Sequence, residues 1–87
     1  MGIMTDQKVI IYGTNWCGDC IRVRRLLRGK GIAFEWIDID RNRDAEQFVL
    51  QVNQGMRSVP TLVLDDGSIL VEPSNIDLVE RLKELLT

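Results

Sequence analysis

The 87-residue chain contains no histidine, only two cysteines, two prolines and one tyrosine, and no excess of positive charge. Each shortage narrows the range of functions. Without histidine, the commonest metal ligand and the usual proton acceptor near neutral pH are both missing. Eleven basic residues against 13 acidic ones give a formal charge of -2, so the basic surplus that a nucleic-acid binder turns toward phosphates is lacking. The five cations within residues 22–30 read as a solvated helix face. The longest apolar run is four residues, far below the roughly 20 needed to span a bilayer. Residues 1–5 are too few and too uncharged for a signal peptide. A cytoplasmic chain is therefore expected, with neither membrane nor nucleic acid as a partner. Two cysteines in that compartment are unsuited to a structural staple, because the cytosol keeps ordinary thiols reduced.

What is present is ordinary globular composition, 45% hydrophobic and 28% charged, in a length that suits one domain over residues 1–87. No repeat or linker interrupts it. Residues 8–12 form a short β-branched apolar run, expected as a strand buried on both faces and interrupted by Gly13-Thr14-Asn15. Cys20, Val23, Leu26 and Leu27 then fall at helical spacing up to Gly31, predicting a helix over 18–30. Residues 33–38 read as a second strand, and Ala45, Phe48, Val49 and Val52 as the apolar stripe of a second helix closed by Gly55. Asp65-Asp66-Gly67 between residues 61–64 and 68–71 predicts a hairpin. Ser74 with Asp77 resembles a capping box, and Ile76, Val79, Leu82 and Leu86 are expected to form the stripe of a closing helix. The order is βαβαββα, an α/β layer sandwich with a four-stranded mixed sheet and three helices.

Cys17-Gly18-Asp19-Cys20 lies where the first strand gives way to the first helix. At a helix N-terminus the free N–H groups and the dipole favour an anion, which makes Cys17 the expected nucleophilic thiolate. Cys20, about one turn further on, can reach it and is the expected resolving thiol. The spacing also opens many zinc sites, but a closed zinc site needs four ligands. A metal or iron-sulfur centre would therefore require a CxxC-bridged dimer, the main alternative function. A peptide-gripping adaptor with idle cysteines is a third reading.

Thr14-Asn15-Trp16-Cys17-Gly18-Asp19-Cys20-Ile21-Arg22, Asp38-Ile39-Asp40, Arg57-Ser58-Val59-Pro60 and Asp66-Gly67, in this order, resemble the glutaredoxin family, most of all its mycoredoxin-like branch. The resemblance covers roughly residues 8–86 and implies a thioredoxin-like fold with the first strand central. It implies a dithiol–disulfide oxidoreductase with a redox-active disulfide bond between Cys17 and Cys20, working in electron transport without a bound cofactor. Partners would be disulfide-containing proteins and an external reductant: mycothiol, glutathione or an NADPH-dependent flavoprotein reductase of the thioredoxin-reductase type. A monomer suits a site that docks many partners in turn.

The resemblance also implies a cis Val59–Pro60 peptide beside Cys17, with the Val59 backbone pairing to substrate, and an Arg57 that holds the carboxylate of a small thiol. Arg57 can equally be a plain loop cation. Glutathione-using members carry a Gly-Gly pair and a Ser/Thr-Asp where this chain has Val71-Glu72-Pro73-Ser74-Asn75, and Asp19 replaces a neutral residue inside the motif. Asp19 either opposes the Cys17 thiolate, making a stronger reductant, or points into water as a first-turn acid. Trp16 offers an apolar face to a docking partner or belongs to the core, and Trp36 is expected in the core.

Overall fold

The computed structural model describes residues 9–86. The strands β1 (Val9–Gly13), β2 (Phe34–Asp38), β3 (Thr61–Val63) and β4 (Ile69–Val71) alternate with the helices α1 (Gly18–Gly29), α2 (Arg43–Val52) and α3 (Asn75–Leu86) in the expected order. The sheet runs β2-β1-β3-β4. β1 is parallel to β2 and antiparallel to β3, so the strand that leads into the cysteine motif is an interior one. Lys8 of the expected first strand lies outside the described residues.

Alternation along β1 decides the layers. Val9 and Ile11 point to one face, where Val23 and Leu27 of α1, Leu62 and Leu64, and Leu78 and Leu82 of α3 bury them. Tyr12 points to the other, where it packs with Ile37, Ile39 and the Ala45, Phe48 and Val49 stripe of α2. Two helices thus cover one face and one covers the other. Each fully buried aliphatic side chain contributes about 1.5–3 kcal/mol relative to exposure. Helix α1 ends as its sequence dictates: Gly31 takes a φ of 70°, and the Ile32 amide donates back to the Leu27 carbonyl at 2.9 Å.

Three expectations change. The stripe of α3 is Leu78, Leu82 and the half-buried Leu85, spaced i, i+4, i+7, whereas Ile76 is 74% exposed because it sits some 160° around the helix from Leu78. The Leu86 side chain lies outside the described residues. Gly13 continues β1 rather than breaking it, pairing with Asp38. The arginines of α1 are not simply solvated: Arg24 stacks 3.8 Å over Trp36 and Arg28 lies 5.5 Å from the Phe34 ring centre. Trp36 itself is half-buried against the main core, as expected.

Candidate functional site

Cys17 is the N-cap of α1, with extended backbone (φ -88°, ψ 120°), so its side chain stands over the open end of the helix. There its sulfur accepts the Cys20 amide at 3.3 Å. Its S–H faces the Val59 carbonyl at 3.8 Å, across a sequence separation of 42 residues. The Val59–Pro60 peptide is cis. An N–H aimed at the sulfur, together with the helix end, stabilises negative charge there.

Cys20 is fully buried one turn below. Burial pushes its thiol up to about 12 from an ordinary 9.0; the neighbouring Cys17 adds to this, while the Thr14 backbone and Arg24 oppose it. A raised value in the fold means that the native state holds the proton more tightly than the unfolded chain. That stabilisation is complete below pH 9 and is lost as pH rises from 9 toward 12. The melting temperature of the reduced protein is therefore expected to fall more steeply above pH 9 than that of Cys20→Ser. Equal slopes would contradict this placement of the thiol.

Gly13 fixes the sulfur from the sheet side. A Cβ at this position would lie 2.5 Å from the Cys20 sulfur and 2.8 and 2.9 Å from the Trp36 ring. The ring is held from another side by Arg24. The cis-proline loop is held from behind by buried Asn53, whose amide donates to the Val49 carbonyl at 2.9 Å and to Thr61 Oγ1 at 3.1 Å. Thr61 Oγ1 donates in turn to the Ser58 carbonyl at 2.7 Å. The Glu72 amide reaches the Pro60 carbonyl at 2.8 Å, with Glu72 itself at a φ of 48°.

The turn after β2 ties the two walls beside Cys17 together. Asp40 Oδ2 accepts the Trp16 indole N–H at 3.0 Å while its Oδ1 accepts from Arg57 Nη2. These two bonds, from Arg57 first, hold the Asp40 carboxyl below the usual carboxylate range. Arg57 Nε donates to Glu46 at 2.7 Å, and Asn15 donates to Asp38 at 3.2 Å. Trp16 is 70% exposed, which removes the core reading and leaves its ring face open to solvent.

Arg57 is neither an unpaired loop cation nor an open receptor for a carboxylate, since two carboxylates of the chain already engage it. Asp19 pairs with Arg22 at 3.5 Å on its own helix, with its side chain half exposed. Arg22 spans to α3, donating to Asn75 Oδ1 at 2.6 Å and to the Pro73 carbonyl at 3.0 Å. A shallow open depression of about 500 Å³ is lined by Arg22, Glu72, Ser74, Asn75 and Ile76, with neither cysteine in its lining.

Cys17, Cys20, Trp16, Val59 and Pro60 are thus brought together at one end of the sheet. Glu46 and Asn53, which help to hold that arrangement, carry no mark in the sequence, whereas Asp40 stands out there only as part of the Asp38-Ile39-Asp40 resemblance and Gly13 only as a strand breaker, neither with its role at the site. Among the described residues, no group of three or more His, Cys, Asp or Glu side chains is placed to hold a metal ion. No described helix is long and apolar enough to cross a membrane.

Known proteins resemble the chain in sequence and in fold. The glutaredoxin family model matches residues 9–69. A Mycobacterium tuberculosis protein named as a glutaredoxin is 40% identical over 82 residues, 94% of this chain and 98% of that protein. Mycoredoxin 1 of Corynebacterium glutamicum is 36% identical over 80 residues, 91% of this chain and 98% of that protein. Among solved structures, the Methanosarcina mazei glutaredoxin superposes with a TM-score of 0.72 at 29% identity, covering 86% of this chain and 77% of that one. The glutaredoxin-like NrdH-redoxin of Escherichia coli gives 0.71 at 28%, covering 86% and 93%. A thiol at a helix N-cap facing a cis-proline loop, on a thioredoxin-like sheet with these relatives, leaves one assignment: the chain belongs to the glutaredoxin family.

Proposed function

We propose that this glutaredoxin-family oxidoreductase reduces protein disulfides, or mixed disulfides between a protein and a low-molecular-weight thiol, through the Cys17–Cys20 dithiol. The observation that carries the reading is the asymmetry of the two sulfurs. One is partly exposed and receives an N–H at a helix end, while the other is buried with a thiol that keeps its proton. Cys17, as thiolate, attacks one substrate sulfur; an S–S bond forms to Cys17, and the other substrate sulfur leaves as a thiolate that takes up a proton. Cys20 then attacks the Cys17 sulfur, its own proton passes to the departing thiol, and the two electrons now reside on the reduced substrate.

Asn53 and Thr61 support this cycle by fixing the loop that presents the Val59 carbonyl beside the nucleophile. Trp16, with its ring open to solvent, supplies an apolar contact to the docked chain next to the scissile disulfide. No bound cofactor takes part. The reductant that restores the dithiol is mycothiol, glutathione or an NADPH-dependent flavoprotein reductase, used in the cytoplasm, where a reducing environment keeps the cycle turning. A monomer leaves the Cys17–Val59 cleft open to successive partners.

A reductant panel tests this reading. NADPH consumption is followed with a disulfide substrate and each of the three reducing systems in turn. Protein-dependent consumption is expected with at least one of them, and its absence with all three would sink the proposal.

A further inference from the structure

Arg22, on the helix that Cys17 caps, and Arg57, linked to Trp16 through Asp40, are both occupied. Arg22 is neutralised by Asp19 and tied to Asn75 and the Pro73 carbonyl. Arg57, two residues before Val59, meets both Asp40 and Glu46, so this cluster sets one cation against two carboxylates. Because Asp40 also accepts from the Trp16 indole, the surplus negative charge is fixed to the residue that precedes the nucleophile. An anionic group entering beside Trp16 finds the Arg57 guanidinium already engaged by two carboxylates, while Arg24 is turned onto the Trp36 ring.

The geometry points to charge selection at the mouth of the site. Asp40 and Glu46 are specificity-determining residues that convert Arg57 from an anion receptor into a structural tie, and they favour disulfides with neutral or cationic groups flanking the sulfurs. This rests on the oxidoreductase reading above and adds the electrostatic class of its substrate. One unit charge acting over about 8–10 Å across a partly aqueous mouth changes a rate constant by roughly two- to fourfold. Added salt suppresses the effect, because the screening length shrinks from about 10 Å at 0.1 M to about 3 Å at 1 M.

The test needs no electron donor. Pre-reduced protein is mixed at low ionic strength with cystamine (cationic), hydroxyethyl disulfide (neutral) or dithiodipropionate (anionic), and acid-quenched samples are read by intact mass. Each turnover converts one disulfide to two thiols as the dithiol closes to the Cys17–Cys20 disulfide, so electrons balance within the mixture. Each rate is divided by that of the same disulfide with dithiothreitol to remove intrinsic reactivity. The anionic-to-neutral ratio is expected below one in the wild type. It should rise about threefold in Asp40→Asn and in Glu46→Gln, and high salt should raise it toward one in the wild type. Because the ratio is taken within each variant, a partly unfolded fraction cancels, and asparagine can still accept the Trp16 N–H. Reaction with ratios unchanged in both variants overturns charge selection and leaves the oxidoreductase reading standing. Failure of the wild type to react with any of the three overturns both.

Discussion

Cys17→Ser is expected to reduce disulfide turnover to the uncatalysed background, a loss on the order of a thousandfold or more, because a serine hydroxyl does not ionise near neutral pH to replace the thiolate. Cys20→Ser should behave differently. Its Cys17 keeps its position at the N-cap and the N–H donated by residue 20, so attack on substrate persists while resolution stops. The mixed disulfide should then accumulate on Cys17. The asymmetry follows from burial: the Cys20 sulfur is closed off by Gly13, Trp36 and the helix, and no substrate can reach it first. Rapid assays of both variants with one disulfide check this. Equal loss in the two, with no adduct in Cys20→Ser, would contradict the division of roles.

The largest stability effect is expected at a residue without a side chain. Gly13→Ala places a methyl group 2.5 Å from the Cys20 sulfur and under 3 Å from the Trp36 ring, and Arg24 lies over that ring. Overpacking of this kind typically costs about 1–3 kcal/mol. In a domain of this size each kcal/mol lowers the melting temperature by roughly 4–8 °C, so a fall of about 5–20 °C is expected. Gly13→Val should fall further. A melting temperature within two degrees of the wild type, read by circular dichroism, would show that the Trp36 ring yields freely and that close approach is not why glycine stands there.

These two sites show unequal legibility in the sequence. The placement of Cys17 and Cys20 could be read in advance because what sets it is local: a strand end, a helix start and a spacing of three residues put one sulfur at the cap and the other a turn below. The helices and the hairpin were legible for the same reason, since their periodicity and turn residues act over a few positions. The phase of α3 was not. Both Ile76 and Leu78 are apolar near its start, and only packing against Val9 and Leu62 selects Leu78. Gly13 read as a strand breaker because its reason to be glycine lies on Trp36, 23 residues away in sequence.

Arg57 shows the same limit from the side of function. Family resemblance directed it at a substrate carboxylate, but the chain's own Asp40 and Glu46 engage it, at separations of 17 and 11 residues. No periodic pattern encodes such a clasp. The Trp16–Asp40 bond spans 24 residues and turns an aromatic that could have been core into an exposed lip of the site. The cis peptide at Val59–Pro60 came from the resemblance alone, and it sits where that resemblance put it, with the Val59 carbonyl facing Cys17.

The central claim is that Cys17 attacks and Cys20 resolves, and it is tested most directly by trapping. Cys20→Ser is mixed with a disulfide substrate, quenched with acid, digested and mapped by mass spectrometry, with Cys17→Ser treated in parallel. The expected result is a substrate adduct on Cys17 in the first variant and none on the buried Cys20 in the second. An adduct on Cys20, or the absence of any adduct on Cys17, would contradict it.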